Sequence, residues 1–311
     1  MTQYRSGLPQ LSGGIFLNDA GLETDLIFNH GIEIPEFAAH TLLPNPITRE
    51  KLTAYFHEFI DLAASRNIGL ILDAPTWKAH GHWKKDLNTT LEDLKQANYD
   101  AVSLIQALKD NASPNMQIVL NGITGPCGDA YAPEDLTSVE DSTKYHSTQI
   151  GWLAETSVDM VTALTFTQSK EAAGYAIAAA KFDMPCVISF TVETDGKLPT
   201  SQSLKDAIEF VDEASNGYPS YYMINCAHPD HFSHVLNDSS WTHRVKGLRC
   251  NASRQSHAEL DTCEVLDDGD PVELGIQYRE LLNKMPWLNV FGGCCGSDIR
   301  HVREIAGAVV Y

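Results

Sequence analysis

The sequence predicts a closed (β/α)8 barrel, and three observations carry the prediction. Short apolar runs alternate with helix-like stretches along nearly all of the 311 residues, as parallel strands buried on both faces alternate with their crossover helices. The alternation repeats eight times, the number that closes such a barrel. Polar residues recur at or just after the ends of the runs, at Asp19, Asp73, Thr76, Asn121, Thr124, Glu193, Asn225 and Asn251. Those are the C-terminal strand ends, where barrels of this class carry their active sites. A doubly wound open sheet is the alternative fold. The usual nucleotide signals are missing, since no Gly-x-Gly-x-x-Gly follows a strand and no phosphate-loop pattern is present.

The predicted strands are Ile15–Asn18, Ile68–Asp73, Gln117–Gly122, Val158–Leu164, Cys186–Val192, Tyr221–Cys226, Val245–Cys250 and Leu288–Phe291. Each is a short apolar run closed by turn-forming or polar residues. The helices read as 49–66, 90–110, 138–156, 170–181, 203–215, 229–239, 271–284 and 298–309. Thr89-x-x-Glu92 has the form of a capping box ahead of an apolar pattern. Ser169, Ser203 and Ser297 read as N-caps. Pro271 suits a first helical turn, where a missing N–H costs nothing. No linker, low-complexity segment or close internal repeat breaks the pattern, so residues 1–311 read as one domain.

Composition narrows the function. Hydrophobic residues make up 43% of the chain, enough for a sizeable core, and the formal net charge is −19. That balance argues against nucleic acid and anionic membranes as partners, since both need basic patches. No run is long and apolar enough to span a bilayer. Met1 to Gly14 lacks the apolar segment of a secretory signal, and the expected location is the cytoplasm. The seven cysteines, Cys127, Cys186, Cys226, Cys250, Cys263, Cys294 and Cys295, are odd in number and form no dense framework. They read as thiols, some with metal-binding or catalytic roles, rather than as structural disulfides.

The most pointed stretch is Phe291-Gly292-Gly293-Cys294-Cys295-Gly296-Ser297-Asp298. Adjacent side chains on a regular strand face opposite ways, so both thiols converge only if the backbone bends, and the glycines permit the bend. A helix starting near Ser297 would favour thiolate there. Two thiolates at one point repel unless a cation lies between them, and zinc prefers sulfur ligands in tetrahedral geometry. The pair also reads as ordinary core or as a strained disulfide. Cys226, closing the sixth strand, is the best candidate for a third ligand, because in a barrel it would meet Cys294 and Cys295 across the mouth. Three sulfurs leave a position open for substrate, whereas Cys250 as a fourth would make the site closed and structural. His80 and His82 lie in a loop that reads as surface.

At this point the chain resembles the homocysteine S-methyltransferase family, the zinc-dependent barrels that include the betaine and S-methylmethionine enzymes. The resemblance spans nearly the whole chain. It rests on Gly292 to Gly296 for the Gly-Gly-Cys-Cys-Gly motif and on Asn225-Cys226 at the end of the sixth strand. It rests further on Asp19-Ala20-Gly21-Leu22-Glu23-Thr24 after the first strand and on Gly122-Ile123-Thr124-Gly125-Pro126-Cys127-Gly128.

The resemblance implies that Cys226, Cys294 and Cys295 hold zinc and that a substrate thiol is the fourth ligand. Asp19 is then an expected partner for the substrate ammonium, and the N–H groups of Ala20, Gly21 and Leu22 for its carboxylate. Thr76, Asn225 and Asn251 are expected polar contacts. One position departs from the family. Where its glutamate for the amino group falls after the fourth strand, this chain has Leu164, and Glu193 or Glu23 is the candidate substitute. The loop from Asn251 to Asp261 is expected over the mouth, with Glu259 or Asp261 near a cationic donor. Trp77 and Trp83 are candidate cation contacts.

The expected activity is methyl transfer to a small thiol, homocysteine giving methionine. The expected donor is S-methylmethionine, S-adenosylmethionine or a betaine, because a barrel filling the chain leaves no room for a fused folate or cobalamin domain. A separate corrinoid protein stays open as donor. Zinc-dependent hydrolysis, with Glu193 or Asp73 as base, and a non-catalytic zinc or redox protein are the rival readings.

Overall fold

The computed structural model describes residues 2–128, 130, 138–260, 263 and 265–310. Eight parallel strands close in sequence order into a TIM barrel. They are β1 Phe16–Leu17, β2 Gly69–Ala74, β3 Ile118–Thr124, β4 Met160–Phe166, β5 Cys186–Phe190, β6 Tyr221–Asn225, β7 Val245–Cys250 and β8 Val290–Gly293. Closure is made at β1, where Phe16 lies opposite Gly69 on one side and Val290 on the other. The outer helices are α1 Pro46–Arg66, α2 Leu91–Asn111, α3 Val139–Ala154, α4 Ser169–Lys181, α5 Leu204–Ser215, α6 Pro229–Phe232, α7 Pro271–Lys284 and α8 Ile299–Val309. Among the described residues, no helix is long and apolar enough to cross a membrane.

The strands and most helices stand close to where the sequence puts them. The caps differ in detail. Thr90 and Asp93, one residue beyond the expected pair, form the capping box of α2. Ser203 caps α5 by accepting from the Asp206 N–H. Gln168 precedes α4 without a side-chain cap, so Ser169 is its first residue. Asp298, not Ser297, caps α8, because the Ser297 hydroxyl donates to the Cys294 carbonyl at 2.6 Å. The largest difference is α6, a single turn where residues 229–239 read as helix. The Thr242 hydroxyl lies 2.7 Å from both the Asn237 and Ser239 carbonyls. Such side-chain bonds offer the backbone an alternative to helix.

Inside the barrel the side chains form two layers. The lower one is apolar: Phe16, Ile71, Val119, Met160, Val187, Met223 and Val290 pack together, with Leu8 of the N-terminal segment. Side chains two apart on a strand share a face, so the next inward positions are Asn18, Asp73, Asn121, Thr162, Ser189 and Asn225. All six are buried. On β7 the same step runs from Gly247 to Arg249. The fold thus places a polar, hydrogen-bonding layer on an apolar plug, directly beneath the mouth.

Gly69 shows how tightly the plug is filled. A Cβ there would lie 2.2 Å from the Phe16 ring, an atom of a rigid side chain on the neighbouring strand. Gly69→Ala is expected to cost ~1–3 kcal/mol by overpacking, and Phe16→Ala ~3–5 kcal/mol by cavity formation. The double variant should lose less than the sum of the two, because each change relieves the other. Denaturant unfolding of the four proteins reads this out, and strict additivity would sink the claim.

Candidate metal centre

The three cysteines expected at the mouth are brought together there. Cys226 follows β6, and Cys294 and Cys295 follow β8. Their sulfur atoms all lie within 4.8 Å of one another, with 3.5 Å between Cys226 and Cys295. Cys226 has φ +55°, a left-handed conformation uncommon outside glycine. Its N–H donates to the Arg249 carbonyl at 3.0 Å. Its own carbonyl accepts from His257 Nε2 at 2.5 Å and from the Thr191 hydroxyl at 3.2 Å.

The Cys294-Cys295 segment is held on both sides. The Cys294 N–H donates to Cys250 O at 2.9 Å, and the Ala252 N–H donates to Cys295 O at 3.1 Å. Gly21 packs so closely that a Cβ on it would lie 2.5 Å from Cys294 O. Gly296 takes φ +78° and donates its N–H to the Thr24 hydroxyl at 3.1 Å. Cys250 stays outside the cluster. Its neighbour Arg249 faces the barrel interior, so Cys250 faces the outer helices, where its N–H meets the Tyr278 hydroxyl at 2.8 Å. Burial pushes its thiol up to about 12.

The clustered thiols are not equivalent. Hydrogen bonds from Cys226 and Cys295, with help from Arg249, hold Cys294 well below the usual thiol range against the cost of burial. Cys295 moves the other way, because it keeps a proton shared with Cys226 and Cys294. Sulfur atoms that share protons over so short a distance are the donor set a thiophilic cation replaces those protons on. The triad is consistent with a metal site, and among the described residues no fourth His, Cys, Asp or Glu joins it.

Beneath the sulfurs, every polar group of the Asn225 side chain is used. Its oxygen accepts from the Thr165 N–H at 3.0 Å and the Ser189 hydroxyl at 2.6 Å. Its NH2 donates to the Thr165 hydroxyl at 2.7 Å and lies 3.8 Å from Cys294 Sγ. Arg249 spans the barrel beside it. Its guanidinium pairs with Asp19 and Asp73 and donates to Gly293 O at 3.1 Å and Ala20 O at 3.2 Å. Burial opposes the arginine's charge, and the two carboxylates more than restore it. Burial also raises Asp19, to about 7, against the pull of Arg249, and raises Asp73. Above these groups opens a cavity of about 640 Å³ lined by, among others, Asp19, Glu23, Lys78, Leu164, Asn251, Cys226 and Cys294.

A family model described as homocysteine S-methyltransferase matches residues 16–309. The chain belongs to this family. It is therefore a methyltransferase whose family implies a small-molecule thiol and a methyl donor as substrates. Comparison with curated proteins returns no match. Among solved structures, the fold is similar to the homocysteine methyltransferase MmuM from Escherichia coli. The oxidized form is 16% identical with a TM-score of 0.72, over 94% of this chain and 95% of that one. The metallated form is 15% identical with a TM-score of 0.71, over 96% and 98%.

Several residues of this methyltransferase stand in roles the sequence did not suggest. Asp19 is committed to Arg249. The three N–H groups expected to hold a carboxylate are all taken: Ala20 donates to the Tyr55 hydroxyl at 3.1 Å, and Gly21 and Leu22 donate to the carbonyls of Ser297 and Ala20 at 3.1 Å each. Thr76 is buried off the cavity, donating to Ile123 O at 2.7 Å. Glu193 lies behind the site, 3.4 Å from His257 Nδ1, and does not line the cavity.

Leu164 does line it, and its carbonyl accepts from Trp77 Nε1 at 3.0 Å. Trp77 and Trp83 do meet a cation, the protein's own Lys78, 3.7 Å from the Trp83 ring and 5.4 Å from the Trp77 ring. Glu259 accepts from the N–H and hydroxyl of Ser256. Asp261 lies outside the described residues. His80 is buried rather than on the surface, 2.6 Å from the Tyr145 hydroxyl.

The sequence reading missed Arg249 and His257. Arg249 did leave a signal: a cation inside a run predicted to be a buried strand requires buried carboxylates nearby, and Asp19 and Asp73 close two other strands.

Arg249→Met leaves two buried carboxylates unpaired and is expected to cost ~3–5 kcal/mol at neutral pH. Without the guanidinium, both carboxyls titrate higher still. An acid raised in the folded state contributes stability below its unfolded value of 3.8 and loses it as pH rises through the folded value, already about 7 for Asp19 in the parent. The deficit of the variant should therefore shrink as pH falls from about 8 to about 5. Urea unfolding at several pH values tests this, and a deficit independent of pH would contradict it.

Proposed function

We propose that the chain transfers a methyl group from a small cationic donor to the sulfur of homocysteine, giving methionine, with zinc held by Cys226, Cys294 and Cys295. The observation that carries this reading is the three-sulfur cluster facing a cavity of about 640 Å³. An open position beside three protein ligands separates a catalytic zinc site from a closed structural one. Bound zinc would supply Lewis acidity, favouring the thiolate form of the acceptor at neutral pH.

The chain's own residues supply the remainder. Asn225 fixes Cys294 from below, and His257 fixes the backbone of Cys226, so the ligands are oriented by bonds outside the cluster. Arg249 places positive charge under Cys294. Leu164 and Ile123, in the cavity wall, limit the water that would solvate a thiolate and blunt it. Glu36 and Asp267 line the same cavity and suit a donor bearing a positive charge, such as S-methylmethionine, S-adenosylmethionine or a betaine. In the transfer, the acceptor thiol gives up its proton to solvent. Its sulfur then forms a bond to the methyl carbon as that carbon parts from the donor's onium atom, which keeps the electron pair. Asn251 is a further polar contact for substrate.

Metal analysis is expected to find about one zinc per chain, and any single Cys226, Cys294 or Cys295→Ser change should reduce this to less than about a tenth. Asn225→Ala should weaken metal binding roughly 10- to 100-fold with the ligands intact. X-ray absorption at the zinc edge should show three sulfurs, and four after homocysteine is added. Methionine formation from S-methylmethionine and the other donors identifies the methyl source. Carefully reduced protein that binds no zinc would overturn the reading, and three sulfurs indifferent to homocysteine would overturn the acceptor.

A further inference from the structure

The acids around the cavity are mostly committed. Asp19 and Asp73 share Arg249. Asp267 accepts from the Ser253 hydroxyl at 2.5 Å and the Gly269 N–H at 3.2 Å. Glu36 is exposed at the rim. Glu23 differs. It sits on the helical turn Leu22–Thr24, is half-buried and lines the cavity. Among the described residues its only hydrogen bond is to its own backbone N–H. Burial, with the negative charge of Cys294 adding to it, raises its carboxyl to about 7 against the pull of Arg249 and Lys78, because taking a carboxylate out of water favours its neutral form.

A second, independent observation points the same way. Asn251 is 1% exposed, and among the described residues its side-chain oxygen has no hydrogen-bond partner, yet the residue lines the same cavity. A buried acceptor left unmade is costly. The residues next to these two converge. Thr24 takes the Gly296 N–H at 3.1 Å, and the methyl of Ala252 lies 3.4 Å from where a Cβ on Gly296 would stand. Glu23 and Asn251 line one cavity together with Gly296, Cys294 and Cys295. Two acceptors, one of them anionic, ask for a cationic group with several N–H donors. Lys78, held over the Trp83 ring and lining the same cavity, adds a fixed positive charge. That combination suits a zwitterion better than a simple cation.

We propose that Glu23 and Asn251 form the subsite for the ammonium group of the acceptor, so that the enzyme selects thiols that are α-amino acids. The proposal rests on the acceptor reading above and specifies which residues enforce it. A carboxylate–ammonium hydrogen bond in a partly buried site contributes enough to discriminate about 10- to 100-fold.

The test uses zinc-loaded full-length protein and two thiols, homocysteine and its des-amino analogue 4-mercaptobutanoate. Binding is measured by calorimetry, and kcat/KM is measured for each thiol. The parent should prefer homocysteine by about 10- to 100-fold in both readouts. Glu23→Gln, nearly isosteric, should reduce that preference to within about threefold by weakening homocysteine alone, leaving the analogue unchanged. Asn251→Ala serves as a second variant and should shift the preference in the same direction by a smaller factor.

Equal losses for both thiols in both variants would overturn the subsite. So would a Glu23→Gln effect confined to the KM of the methyl donor. If the parent binds both thiols equally, the subsite falls while methyl transfer to a thiol stands. If it binds neither, the acceptor reading itself fails and the subsite falls with it.

Discussion

The guanidinium of Arg249, buried between Asp19 and Asp73, is the interaction on which the mouth of this barrel depends. One cation lies between two carboxylates from the first and second strands. It also donates to backbone carbonyls of the first loop and the eighth strand. A charge so deeply buried is tolerable only when fully paired and hydrogen-bonded. Its position therefore dictates where the Asp19–Thr24 segment and the Gly292–Gly296 segment lie. Those are the segments that carry Glu23 and the paired thiols. The same charge favours thiolate at Cys294, so one buried ion network serves both architecture and chemistry.

The three-sulfur cluster follows from closure of the barrel. Cys226 and the Cys294-Cys295 pair end strands separated by β7, and they meet because the Arg249 side chain holds the eighth strand while its carbonyl receives the Cys226 N–H. Backbone conformations that most residues avoid bring the sulfurs inward: φ +55° at Cys226 and φ +78° at Gly296. Strain of this kind persists where surrounding bonds over-determine it. Here they do so through His257, Thr191 and Ala252.

Much of this was legible in the sequence. The strands and helices were readable because continuous apolar runs on strands buried on both faces, and apolar patterns between caps on helices, leave direct marks in the sequence. The cysteine motif was readable because the flanking glycines permit the bend that brings adjacent thiols to one point, and Cys226 closes another strand at the same end of the barrel. Cap positions slipped by a residue, as at Thr90 and Asp298, where several cap-forming residues stand side by side. The sixth crossover failed differently. Its 229–239 stretch has helical composition, but Thr242 holds the backbone in a loop, and no local pattern announces that competition. Asp19 read as a partner for the substrate ammonium because the family resemblance implies that role. Its actual partner lies 230 positions away in the chain.

By itself the sequence determined the barrel, the order of its elements and the three cysteines that meet at its mouth. These depend on periodicity and on side-chain chemistry, and both are local properties. Only the tertiary structure decided which polar groups at the mouth are free to meet a ligand. It committed Asp19 and Asp73 to Arg249, consumed the amides of Ala20 to Leu22, turned Thr76 and Cys250 away, and left Glu23 and Asn251 facing the cavity. That division has a physical cause. A residue's type fixes what bonds it can make, but whether those bonds are already satisfied depends on partners that closure of the barrel brings from distant parts of the chain.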